Sequence, residues 1–145
     1  MKKSIALIIF LLFTISLTAQ EWITSFEEAK NIATKNNHNI VLVFQGSDWC
    51  GPCIKLDKEV WSTSSFQKLA ENHFVMLQAD FPRRKQNRLS SELQAQNNKL
   101  AESYNPNGYF PYVVVLNTKG KVLGTLGYEK TTPELYFDKL IAFEK

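Results

Sequence analysis

The chain has 145 residues, 44% of them hydrophobic and 21% charged, with 17 basic residues against 14 acidic ones and a formal charge of +3. That length fits one domain with a modest core rather than a multi-domain assembly. Lys2 and Lys3 supply much of the positive excess, so the rest of the chain is close to neutral and carries no signature of a nucleic-acid-binding surface.

The N-terminus opens Met1-Lys2-Lys3, continues through the apolar run Ile5 to Phe13, and closes on small and polar residues from Thr14 to Ala19. This is the pattern of a secretory signal peptide over 1–19, with cleavage expected after Ala19 and one domain over 20–145. The apolar run is short for the roughly 20 residues of a spanning helix, so no stable membrane insertion is expected after cleavage. No cysteine lies near the cut, which excludes a lipid carried on an N-terminal cysteine. The expected destination is periplasmic or extracellular, and therefore oxidising.

Ser25-Phe26-Glu27-Glu28 fits a helix-capping box, and Phe26, Ala29, Ile32 and Ala33 recur at helical spacing as far as Asn36. After the turn cluster 36–39, the run Asn39 to Phe44 is apolar without alternation, as in a central strand covered on both faces. A helix is predicted from about Cys50 or Gly51 to Trp61, and a short one around Phe66, Leu69 and Ala70. His73 to Ala79 is predicted as a strand, and 87–103 as a peripheral helix carrying Leu89, Leu93 and Leu100. Tyr112–Leu116 and Lys121–Leu126 form a predicted hairpin about the turn 117–120. Thr132 and Pro133 open a last helix, expected to reach Phe143. The order of elements implies an α/β fold, a mixed sheet covered by helices.

Cys50 and Cys53 are the only cysteines, and they stand at a strand-to-helix junction in Trp49-Cys50-Gly51-Pro52-Cys53. A dithiol so placed is what thiol–disulfide exchange requires. A purely structural bridge is the bland alternative, but it would close a tiny loop and restrain little chain entropy. Zinc needs four ligands, and only His38 and His73 remain to help, beside separate strands. Haem attachment needs a histidine after the second cysteine, where Ile54 stands. No metal, flavin or nucleotide site is expected, so the redox-active centre is the cysteine pair itself.

Trp49 to Cys53 matches the WCGPC signature residue for residue, and Tyr109-Phe110-Pro111-Tyr112-Val113 matches a cis-proline site before the terminal hairpin. On these features the chain resembles the thioredoxin superfamily, specifically its exported thioredoxin-like thiol–disulfide oxidoreductases, over roughly 22–145. The resemblance implies a thioredoxin fold, a central mixed β-sheet flanked by helices, with an extra helical insertion before the cis-Pro strand. It also exposes departures. Phe44 stands six residues before Cys50, where cytosolic thioredoxins bury an aspartate; Gln78 replaces the lysine paired with it. Lys58 replaces the helix-kinking proline, and the stretch 80–111 is about twice the usual length.

The resemblance assigns Cys50 as the attacking thiol and Cys53 as the resolving one. It places Trp49, Gly51, Pro52, Phe110 and Pro111 at the substrate-binding rim, with Phe110 offering backbone to a substrate strand. Asp57, four residues after Cys53, shares its helix face and is the candidate proton acceptor, balanced against a solvated aspartate paired with lysine. Asp48 is a weaker candidate. Lys55 and Glu59 are expected to form a surface pair, and Arg83-Arg84-Lys85 a solvated face with docking to an acidic partner as the sharper alternative. The expected activity is reduction of protein disulfides, or electron relay. A disulfide-forming oxidase and a non-catalytic binding module are the competitors. Protein thiols and disulfides are the expected partners, with re-reduction by a membrane electron-transfer protein, and the chain is expected to be a monomer.

Overall fold

The computed structural model describes residues 22–145; the expected signal peptide lies outside them. Four strands, β1 (Asn39–Gln45), β2 (Phe74–Asp80), β3 (Tyr112–Leu116) and β4 (Val122–Leu126), form one sheet in the order β2-β1-β3-β4. β1 runs parallel to β2 and antiparallel to β3, and β4 closes the hairpin. Ile23 extends the β2 edge through a parallel bridge to Leu77.

β1 is central, and five successive side chains, Ile40 to Phe44, are buried. Strand alternation divides them. Val41 and Val43 pack with Leu56, Val60, Trp61, Phe66, Tyr136 and Leu140, under the helices α2 (Gly51–Leu56), α3 (Ser64–Ala70) and α5 (Pro133–Ile141). Ile40, Leu42 and Phe44 pack with Ala29, Ala33 and Leu100, under α1 (Phe26–Asn36) and α4 (Ser91–Tyr104). Ser25, Thr63, Ser90 and Thr132 each cap a helix by accepting a backbone N–H three residues on.

The predicted helix 50–61 is two structures. After Leu56 the backbone widens into a π turn, Asp57–Trp61, with Ser62 N–H donating to the Asp57 carbonyl at 2.8 Å. The wider turn brings both Val60 and Trp61 into the core alongside Leu56. Trp61 then meets Trp22, Phe66 and Tyr136 edge-on, at centroid distances of 6.0, 4.9 and 5.2 Å. Two further ends differ from expectation. α4 begins only at Ser91, because the hydroxyl of Ser90 caps the helix through the Leu93 N–H. The last α-helix ends at Ile141 and tightens into a 3-10 turn over Ala142–Glu144, where the Phe143 ring lies against Gly124 so closely that any Cβ there would overlap it.

The insertion is tied to the cysteine loop by one carboxylate. Asp48 accepts the Arg83 N–H on one oxygen, and the Arg84 N–H and the Asn87 side-chain amide on the other, each at 2.9 Å. Asp80 works from the sheet side, accepting from the Ser47 N–H and hydroxyl and from the Phe81 N–H. Buried Asn97 holds α4 down by donating to the Asp80 carbonyl. Both oxygens of Asp48 are thus engaged in holding the strap 81–90.

The backbone bond from Arg83, reinforced by Asn87, the Arg84 N–H and the Arg84 charge, holds the Asp48 carboxyl below its ordinary 3.8. A lowered carboxylate pKa means a tether complete above the ordinary value and lost as pH falls through the lowered one. The Arg83 and Arg84 amide resonances should therefore titrate together, with a midpoint below 3.8; a midpoint above that value contradicts the tether. Asp48→Ala should speed hydrogen exchange at these two amides while leaving β1 protected.

Candidate active site

β1 ends at Gln45, and the chain turns through Gly46 to Trp49, with the Cys50 N–H donating to the Gly46 carbonyl at 2.9 Å. Cys50 has extended backbone and is the N-cap of α2. Its Sγ accepts the Cys53 N–H at 3.3 Å, in the place a serine or aspartate oxygen takes in an ordinary cap. Pro52 sits in the first turn, where its missing N–H leaves no bond unmade. Cys50 and Cys53 are joined as a disulfide, with Cα atoms 5.2 Å apart.

Whole-residue exposure barely separates the sulfurs: Cys50 is 4% exposed and Cys53 3%. Their surroundings do separate them. Gly51 and Pro52 are exposed beside Cys50, and a side chain added at Gly51 would meet nothing within 4 Å. Cys53 instead lines a cavity of about 390 Å³ behind the helix, with Trp22, Gln45, Ser47, Ile54, Asp57, Ser62 and Gln78.

Trp49 is held on four sides. Its indole N–H donates to the Phe81 carbonyl at 2.7 Å, and Phe110 meets its ring edge-on at 5.5 Å. Gly46 lies beneath it, where a Cβ would fall 2.3 Å from the ring, so only glycine permits this packing. The Arg83 guanidinium covers the ring at 3.6 Å from its centroid. The resemblance puts Trp49 at the substrate-binding rim, and in the structure a cation lies over its ring.

The Phe110–Pro111 peptide bond is cis. Pro111 is buried and Phe110 half-buried, packed between Trp49 and Phe81. Asn105, 3% exposed, grips the segment before them: its amide donates to the Tyr109 carbonyl at 2.8 Å, and its carbonyl accepts the Tyr109 N–H at 3.0 Å. Sequence patterns do not single out Asn105, because the pairing is made by a side chain imitating a strand.

Phe44 lies on the face of β1 away from α2, so the position six residues before Cys50 does not look toward the cysteines. The polar groups on the cysteine side are Gln45 and Gln78, joined Nε2 to Oε1 at 3.0 Å. Strand alternation, applied to 39–45, was the signal that would have found Gln45. Asp57 shares the cavity with Cys53 and accepts the Ser62 hydroxyl at 3.1 Å. The expected Lys55–Glu59 pair is not among the ion pairs of the described residues. The π turn begins between them, and Glu59 accepts the Tyr128 hydroxyl instead, which pushes that phenol's pKa up. Tyr136 is also shifted up, by burial, and donates to the Gly127 carbonyl. Among the described residues no three or more His, Cys, Asp or Glu side chains cluster in a way that would hold a metal.

Chemically, the site presents a sulfur at the start of a helix, where backbone N–H groups and the aligned peptide dipoles favour negative charge. Its partner sulfur sits one turn inside, against a cavity of mixed lining in which Trp22 and Ile54 stand beside Gln45, Asp57 and Gln78.

A family model described as thioredoxin-like matches residues 21–118. The disulfide bond reductase DsbH of Chlamydia pneumoniae is 33% identical over 116 residues, covering 80% of this chain and 68% of that protein. A solved DsbH oxidoreductase superposes with a TM-score of 0.80 at 30% identity, covering 90% of this chain and 88% of the other. A putative disulphide-isomerase from Bacteroides thetaiotaomicron gives 0.62 at 25% identity, over 88% of this chain and 93% of the other. The fold is therefore the thioredoxin fold, with the cysteine pair at the start of its second helix, and the chain belongs to the thioredoxin-like family.

Proposed function

We propose that the protein is a thiol–disulfide oxidoreductase that reduces disulfides of exported proteins. The observation that carries the reading is the Cys50 Sγ, set as a helix cap, bonded to Cys53 and flanked by open space at Gly51. The DsbH relative is a disulfide bond reductase, which supports the reducing direction, and the pattern of residues 1–19 supports export.

In the reduced protein the Cys50 thiolate attacks one sulfur of a substrate disulfide. A Cys50–substrate bond forms, and the other substrate sulfur leaves as a thiolate. Cys53 loses its proton and attacks the Cys50 sulfur, which releases the second substrate thiolate and leaves the Cys50–Cys53 disulfide. Two electrons pass from the cysteine pair to the substrate. Another dithiol, supplied by a membrane electron-transfer protein, returns them. Asp57 takes the Cys53 proton across the cavity they share. Trp49, Gly51, Pro52, Phe110 and Pro111 frame the approach to Cys50.

The Cys50–Cys53 couple, equilibrated with glutathione, should have a potential near the thioredoxin value of about −270 mV; a value near −120 mV would identify an oxidant instead. Cys53→Ala should accumulate mixed disulfides with partner proteins. Joint replacement of Cys50 and Cys53 by serine should abolish disulfide reduction, and a variant that loses reduction but keeps the protein's full biological activity would leave only a binding module. Asp57→Asn should slow release of the mixed disulfide by about tenfold or more, with the alkylation rate of Cys50 unchanged. An unchanged release rate removes Asp57 from the proton path.

A further inference from the structure

The strap that Asp48 holds against the cysteine loop carries Arg83, Arg84, Lys85 and Arg88, four cations within six residues. All four are exposed. The ion pairs among the described residues join Lys30 to Glu27, Lys139 to Glu129 and His73 to Glu144, and none involves the strap. Asp48 and Asp80, the acids that touch it, spend their carboxylate oxygens on backbone N–H groups, the Ser47 hydroxyl and the Asn87 amide, and only the Arg84 charge acts on Asp48 from nearby. The Arg83 guanidinium lies on the Trp49 ring, immediately before Cys50 in the chain. The cations therefore stand on a backbone already fixed in place beside the reactive sulfur. A partner meeting them does not have to order the loop, which removes part of the cost of association.

We propose that this strap is a docking surface for acidic polypeptide, and that it selects protein disulfides flanked by aspartate or glutamate. The inference rests on the redox reading of Cys50 and Cys53 above. Arg83 has a planar guanidinium that can pair with a carboxylate while its face stays on the indole. Arg84, Lys85 and Arg88 then extend the positive field along the substrate chain. Charges of this kind act chiefly on the rate of encounter, and salt weakens them.

The test uses three cystine peptides with acidic, neutral and basic flanks. Their kcat/KM is measured at low and high salt, and binding is measured with versions carrying serine for cysteine. At low salt the acidic peptide should exceed the basic one by about tenfold or more in both measurements, and the difference should shrink as salt rises. Lys85→Glu combined with Arg88→Glu balances the two remaining arginines and should largely erase the difference between the acidic and basic peptides while leaving turnover of the neutral peptide intact, which also reports that the fold is undisturbed. Equal binding of the three peptides, or a difference that the double substitution does not change, overturns the proposal whatever the rates. A charge preference in binding without turnover of any peptide upholds the docking surface and removes the redox reading instead.

Discussion

Double-sided burial of β1 governs the arrangement of this protein. From Ile40 to Phe44 every side chain is enclosed, alternately by the α2–α3–α5 layer and by the α1–α4 layer. A strand so placed has no room for an unpaired polar side chain, since each would cost free energy on burial without a partner. Polar chemistry is displaced to the strand's C-terminal end, where Gln45 meets Gln78 and the chain turns into Cys50. The parallel register with β2 brings Asp80 opposite Gln45, so the same edge supplies both the cavity wall and the anchor for Ser47. Position in the sheet, more than any one contact, puts the reactive sulfurs where they are.

The two sulfurs have different surroundings although they are almost equally covered. Next to Cys50 in the chain, Trp49 joins three remote segments, the cysteine loop, the strap and the cis-proline turn, through Arg83, Phe81 and Phe110. Cys53 lines a cavity shared with Asp57, the Gln45 and Gln78 amides, Trp22 and Ile54.

Much of the fold was legible in the sequence because its signals are local. Ser25, Thr63, Ser90 and Thr132 are cap residues whose bonds span three positions, and the apolar run in β1 needs no tertiary knowledge to read. The cysteine motif is likewise contiguous. What escaped depends on contacts far apart in sequence. The π turn exists because Trp61 fits between Trp22 and Tyr136, residues 39 and 75 positions away, and helical periodicity alone cannot report it. The grip of Asn105 on Tyr109 looks in sequence like an ordinary turn. Arg83 looks like one more solvated cation until Asp48 is seen to fold the strap back over Trp49.

The way that strap is fastened carries a consequence for how the molecule can change. Asp48 grasps the main-chain N–H groups of Arg83 and Arg84, not their side chains. Every residue type except proline has such a group. Exchanging the side chains at these two positions therefore leaves both backbone bonds in place, although it takes the guanidinium off Trp49 and the Arg84 charge away from Asp48. The fastening of the strap and the charge it displays are thus set by different atoms, main-chain N–H groups for the one and side chains for the other.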